Sequence, residues 1–155
     1  MQSLYAFTTH RPWSHAIAHW GKDIENRSNC CRIVPPGNLI AIHAGQKWDQ
    51  HGAEWMKPYV GRGVVQGPEN YPTGIVAIAR FLGNIVPDKD CGELEVYRDS
   101  AWYQGGVGWV LADVMAIAPV SCPGQQGIWK INDANPKSPQ LLSRVRDAYK
   151  EAIAA

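Results

Sequence analysis

Arg11-Pro12-Trp13-Ser14-His15-Ala16-Ile17-Ala18-His19-Trp20-Gly21-Lys22-Asp23-Ile24-Glu25-Asn26-Arg27 is the stretch from which the fold can be read. Proline is favoured in the first turn of a helix, where its missing N–H is not needed. The spacing predicts a helix from Pro12 to about Trp20, with Trp13, Ile17 and Trp20 on one face. Gly21 is its natural stop, and Asp23–Ser28 reads as a short charged strand. If Gly21 turns the chain back, Lys22 sits at the helix C-terminus. Glu25 and Arg27, two apart, then fall on one face of the strand. Cation, carboxylate and cation share a small area.

Before this stretch, Ser3–Thr8 is β-prone. After it, Cys30–Asn38 holds Pro35-Pro36-Gly37 and reads as a loop. Leu39-Ile40-Ala41-Ile42-His43-Ala44 is a strand apolar on both faces, so both faces need cover. Lys47–Tyr59 reads as an interrupted helix with Trp48, His51 and Trp55 on one side and Gly52 weakening it. Gly61–Gly74 is expected to be a loop, Gly74–Val86 a long strand, and Pro87–Gly92 a turn. Residues 93–108 carry no clear period, with a loop expected at Tyr103–Gly106. Trp109–Val120 and Gly127–Asn132 are further strands. Ser138 as N-cap and Pro139 as first residue predict a terminal helix. Its stripe is Leu141, Leu142, Val145, Ala148, Tyr149, Ala152 and Ile153. That stripe is expected to dock on its own domain, with a protein partner as the alternative occupant. Short strands punctuated by Gly and Pro, with a few helices, predict an α+β fold built on a small closed β-barrel. Helix cover should add to closure. One domain, residues 1–155, is expected, with 138–155 as an added helix.

Length and composition agree. The chain has 155 residues, the size of one ordinary domain. It is 45% apolar and 19% charged, which excludes a disordered segment, a coiled coil or a collagen-like chain. Fifteen Gly and eleven Pro argue against an all-helical bundle. Net charge is +1, so nucleic-acid binding would need a local basic patch rather than a strongly basic whole. The N-terminus lacks the basic and long apolar regions of a secretory signal. No apolar run reaches the roughly 18 residues of a membrane span. A soluble, cytoplasmic chain is expected. Cys30, Cys31, Cys91 and Cys122 form no Cys-x-x-Cys pair, so they read as buried or incidental thiols. His15 and His19 have metal-ligand spacing but no obvious third ligand. No metal or other cofactor is expected.

Two uses of the charged triplet compete. Lys22 and Arg27 can bind a phosphate or carbonyl, Arg27 bidentately, while Glu25 orients them, accepts base N–H groups or acts as a general base. Structurally, Lys22 can simply complement the helix dipole and Glu25 pair with Arg27. Seven Trp are many for this length. Core packing explains most of them, but Trp13 beside Arg11, and Trp102 with Tyr103 beside Gly105-Gly106, could stack on bases. His43 reads equally as a cleft residue or a satisfied core histidine.

Arg11-Pro12-Trp13-Ser14, Gly21-Lys22-Asp23-Ile24-Glu25-Asn26-Arg27 and Leu39–Gly45 together resemble the activating-signal-cointegrator homology (ASCH) family, of the PUA-like superfamily. Its hallmark is Gly-x-Lys-x-x-Glu-x-Arg after a Gln-Pro-Trp-like helix start. Trp20 stands where that family has its Gly, with Gly21 one place later, and Arg11 replaces the Gln. The resemblance implies a PUA-like barrel and binding of RNA, another nucleic acid or a nucleotide-like ligand in a cleft beside the motif. Arg11, Lys22 and Arg27 would contact phosphate, Trp13 would stack, and Glu25 would give polar recognition. Some relatives are enzymes. One branch hydrolyses an acetylated cytidine nucleoside with Lys and a Thr nucleophile. Here Glu25 replaces that Thr and is a poor substitute, since its acyl product is a labile anhydride. Another relative cuts single-stranded RNA; here Glu25 or a nearby His would be the base and Lys22 and Arg27 the cations. A ribonuclease or nucleoside amidohydrolase using Lys22 and Glu25 is therefore the alternative to a binding protein.

Overall fold

The computed structural model describes residues 3–61 and 65–155. Met1, Gln2 and residues 62–64 of the expected Gly61–Gly74 loop lie outside the described residues. Among the described residues six strands form one mixed sheet: β1 (Leu4–Arg11), β2 (Ile24–Arg27), β3 (Leu39–Trp48), β4 (Gly74–Ile85), β5 (Val107–Val120) and β6 (Ile128–Ile131). Three helices among the described residues accompany them: α1 (Trp13–His19), α2 (Gln50–Val60) and α3 (Leu141–Ala154). Pro68–Asn70 and Gly92–Asp99 are 3₁₀ turns; the second occupies much of the stretch in which the sequence shows no period.

The strand order is β2-β5-β4-β3-β1-β6. β1 and β3 run parallel, pairing Thr8 with His43; the other neighbours are antiparallel. Alternation sorts the strand residues onto two faces. Phe7, Ile40, Ile42, Ala77, Ala79, Phe81 and Leu111 pack with Ile17 of α1 on one face. Leu4, Ala6, Ala41, Ile78, Ile117 and Ile131 pack with Leu141, Val145 and Ala148 of α3 on the other. Helices on both faces explain why Ile40 to Ala44 is buried throughout. A third cluster ties α1, α2 and β2 to the far ends of β4 and β5 through Ala16, Met56, Ile24, Ile85, Trp102 and Val110.

The pairing does not close into the expected barrel. β2 and β6 are the two edges, each four residues long. Register shifts interrupt the pairing of β4 with β5, and a side chain links β2 to β1 across the face of the sheet. Arg27 of β2 donates from Nη2 to the Thr8 carbonyl of β1 at 2.7 Å. Its guanidinium lies 5.4 Å from the Phe7 ring centre and 4.9 Å from that of Trp109.

The terminal helix starts later than Ser138 predicts. α3 begins at Leu141 after Gln140 in the left-handed region, and Gln140 makes no side-chain cap. Asp133 caps it from a distance. Its Oδ1 accepts from the Ser143 N–H at 3.0 Å and its Oδ2 from the Ser143 hydroxyl at 2.7 Å. Ser138 is instead buried, and its hydroxyl has no partner among the described residues. Ile153, the last member of the expected stripe, is 56% exposed. No helix among the described residues is long and apolar enough to cross a membrane.

Candidate nucleic-acid interface

The turn at Gly21 sets the site. Gly21 has φ +74°, a region that costs a side-chain-bearing residue energy. Beyond it the Lys22 N–H returns to the Ala16 carbonyl at 3.1 Å. This folds β2 back and aims Lys22 inward. Its Nζ contacts the Ile24 carbonyl, lies 3.4 Å from Glu25 Oε1 and 5.4 Å from the Trp13 ring centre. Glu25 Oε2 accepts from Arg27 Nε at 2.9 Å. One carboxylate thus binds both cations.

The three charges do not share one solvent-open pocket. Lys22 is 2% exposed and Glu25 5%. With Thr9, Trp13, Asn26, Asp49 and Gln104 they line a small hollow of about 200 Å³. Burial pulls the Lys22 pKa down, because water no longer solvates the ammonium; the adjacent Glu25 carboxylate opposes that shift. The Arg27 side chain keeps 26% exposure and points the other way, into a groove of about 930 Å³.

That groove runs between the ends of β1 and β3 and the Ser121–Gly127 loop. Its charged lining residues are Arg27, Lys47 and Lys137, joined by His10 and His43; no acid lines it among the described residues. Lys47 and Lys137 are exposed and have no acidic partner among the described residues. His43 is 3% exposed. Its Nε2 lies 2.9 Å from the Cys122 carbonyl. A carbonyl only accepts, so Nε2 carries the proton and holds the loop. Nδ1 has no partner among the described residues, and burial lowers the His43 pKa. Both sequence readings of His43 are realised in part: it is a core residue, and it lines the groove.

Arg11 is not brought to either place. Its guanidinium nitrogens donate to the carbonyls of Gly45 (3.2 Å), Gln46 (2.6 Å), Pro68 (2.7 Å) and Tyr71 (3.0 Å). It braces β3 against the turn after Pro68 and lines neither the hollow nor the groove, where the resemblance had it contact phosphate. Trp13 joins α1 to α2. Its Nε1 donates to Asp49 Oδ2 at 2.7 Å, and Asp49 caps α2 by accepting from the Gly52 N–H at 2.8 Å. The ring presses so closely on Gly52 that a Cβ there would lie 2.5 Å from it. Trp55 and Trp102 pack around it with ring centres at 5.8 and 6.5 Å. Trp102, the other stacking candidate, is buried. His15 and His19 lie with ring centres 4.4 Å apart and planes tilted by 37°, beside Trp20 and Tyr71. Burial and then His19 lower the His15 pKa to about 4. No group of three metal-ligating side chains occurs among the described residues.

Sequence reasoning missed Lys47, Lys137 and the Ser121–Gly127 loop. Lys47 stands two places after the Leu39–Gly45 motif, which was a weak signal; nothing marks Lys137.

No protein-family model matches the chain, and no curated protein does. Among solved structures it is similar to a tyrosine-to-phenylalanine mutant of ZmASCH from Zymomonas mobilis. The TM-score is 0.52 at 12% identity, covering 94% of this chain and 98% of that one. A serine-to-alanine mutant of ZmASCH also matches, with a TM-score of 0.44 at 14% identity over 92% and 95% of the two chains. The resemblance carried by residues 11–45 and the course of the backbone over 94% of the chain agree: the chain has the fold of an ASCH-domain protein.

Proposed function

We propose that the chain binds nucleic acid, RNA foremost, or a nucleotide-like ligand in the groove beyond Arg27. The observation that carries this is a groove whose charged lining is wholly cationic, in a chain with nearly equal numbers of acids and bases. Cations without acidic partners attract phosphate without first breaking a salt bridge. Arg27 is the contact residue retained from the sequence reading. Glu25 orients it by holding Nε, and Lys22 neutralises Glu25 from behind. Trp13 supports this arrangement as a wall of the small hollow rather than as an open stacking platform. Residues 1–155 act as one domain, in which α3 covers the core and is not required as a partner surface.

The test is titration of single-stranded RNA followed by fluorescence anisotropy. The Lys47→Ala/Lys137→Ala double variant should fold normally, lose most of its affinity, and show a shallower salt dependence by about 1.4 in log–log slope, from roughly 0.7 per single-strand phosphate. Unchanged affinity would remove the groove as the site. Shortened RNA on the gel, without added metal and stopped by Glu25→Gln, would make the protein a hydrolase using Lys22 and Glu25. The lowered Lys22 pKa is the feature that suits it to such acid–base work.

A further inference from the structure

Arg27 lines two hollows. Besides the large groove it borders a second one of about 400 Å³, formed by Ser28, Asn29, Cys30, Arg32, Ile33, Trp109 and the start of β6. Arg27 and Gly127 belong to both, so the two adjoin. The second hollow carries Arg32, which is exposed and has no acidic partner among the described residues. Beside it Ile33 is 51% exposed. Trp109 forms the wall, its indole N–H held by the Asn29 carbonyl at 2.8 Å. No acid lines this hollow among the described residues.

Cations therefore follow one another through both recesses: Lys47 and Lys137 in the first, Arg27 at the junction, Arg32 in the second. An exposed apolar side chain next to a cation suits a nucleotide unit, which has an apolar base face and an anionic link. Resting on the groove reading above, we infer that the ligand is a single-stranded nucleic-acid chain several nucleotides long. It passes Arg27, and the Arg32–Ile33 hollow is its second nucleotide subsite. A mononucleotide carries phosphate for only one recess. A duplex is stiff and turns its base faces inward, so it cannot bend into both or offer a base to Ile33.

The experiment compares uridine monophosphate, a uridine hexanucleotide and a self-complementary RNA duplex by titration calorimetry at several salt concentrations. Wild type should bind the hexanucleotide at least about tenfold more tightly than the monophosphate, with a steeper salt dependence. Arg32→Ala should reduce hexanucleotide affinity and flatten its slope by about 0.7, while leaving the monophosphate unchanged. Ile33→Ser should weaken the hexanucleotide without changing the slope. Equal affinity for monophosphate and hexanucleotide, equal affinity for the duplex, or an unaffected Arg32→Ala variant overturns the inference while leaving the groove reading intact. No binding of any of the three ligands overturns both.

Discussion

The Lys22–Glu25 hollow and the groove beyond Arg27 lie on either side of one carboxylate and handle charge in opposite ways. In the hollow, charges are buried and matched: Lys22 and Glu25 are nearly inaccessible and within 3.4 Å of each other. In the groove, Lys47 and Lys137 stay exposed with no acidic partner among the described residues, and Arg27 alone is held by a carboxylate. Buried charge is costly unless it is paired, so a change in the hollow is felt as lost stability. Exposed cations add little to stability, so a change in the groove is felt in what the protein binds. One motif, Lys22-x-x-Glu25-x-Arg27, supplies both: two residues for the interior and one for the surface.

The largest expected effect breaks the shared carboxylate. Glu25→Ala leaves Lys22 buried beside Arg27 without its paired carboxylate and should cost about 3–5 kcal/mol in urea unfolding. A loss below about 1 kcal/mol would mean that the hollow is wetter than its burial indicates.

Acid titration comes next. A histidine whose folded pKa is depressed binds fewer protons folded than unfolded, so the stability it contributes is full above its ordinary pKa and falls as pH drops through the folded value. His15 is lowered to about 4 from 6.5. Stability should therefore decline between pH 6.5 and about 4, by on the order of 1–2 kcal/mol once partial exposure is allowed for. His15→Phe should remove that part of the slope; an identical slope in the variant would contradict the assignment.

Lys22 sharpens the comparison at the alkaline end. Its folded pKa also lies below the ordinary lysine value, so the unfolded chain binds the extra proton. Wild-type stability relative to Lys22→Met should rise as pH climbs from the lowered value towards the ordinary one. Urea midpoints of the two proteins that stay parallel from neutral to alkaline pH would count against a strained ammonium.

Trp13→Phe removes the N–H held by Asp49 and should cost about 1 kcal/mol, read from thermal unfolding. The smallest stability effect belongs to the groove. Lys47→Ala with Lys137→Ala should stay within about 0.5 kcal/mol of wild type while losing RNA affinity. If instead the groove pair destabilised the fold, the division between matched interior and unmatched surface would fail.

Much of the architecture was legible because it rests on local signals. The helix after Pro12, the stop at Gly21 and the Glu25–Arg27 pair on one strand face follow from proline, glycine and period-two spacing, and each occurs. Ser138 misled because a capping serine and a following proline look the same whether or not the chain continues into the helix. Here Asp133, ten residues before Ser143, supplies the cap. Arg11 misled for a related reason. A guanidinium beside a motif can serve phosphate or backbone, and the carbonyls of Gly45, Gln46, Pro68 and Tyr71 reach it first. Barrel closure was read from strand number and turn density, which do not report whether the edge strands pair.

The order of elements, the turn that folds Lys22 inward and the adjacency of Glu25 to Arg27 were determined by the sequence itself, since each depends on residues within a few positions of one another. The tertiary structure alone decided that helices rather than closure cover the sheet, that the charged motif splits between an interior hollow and an open groove, and that Lys47, Lys137 and Arg27 face one space. Those outcomes depend on contacts between segments far apart in the chain, where packing and desolvation, not local preference, set which charge is buried and which is left to solvent.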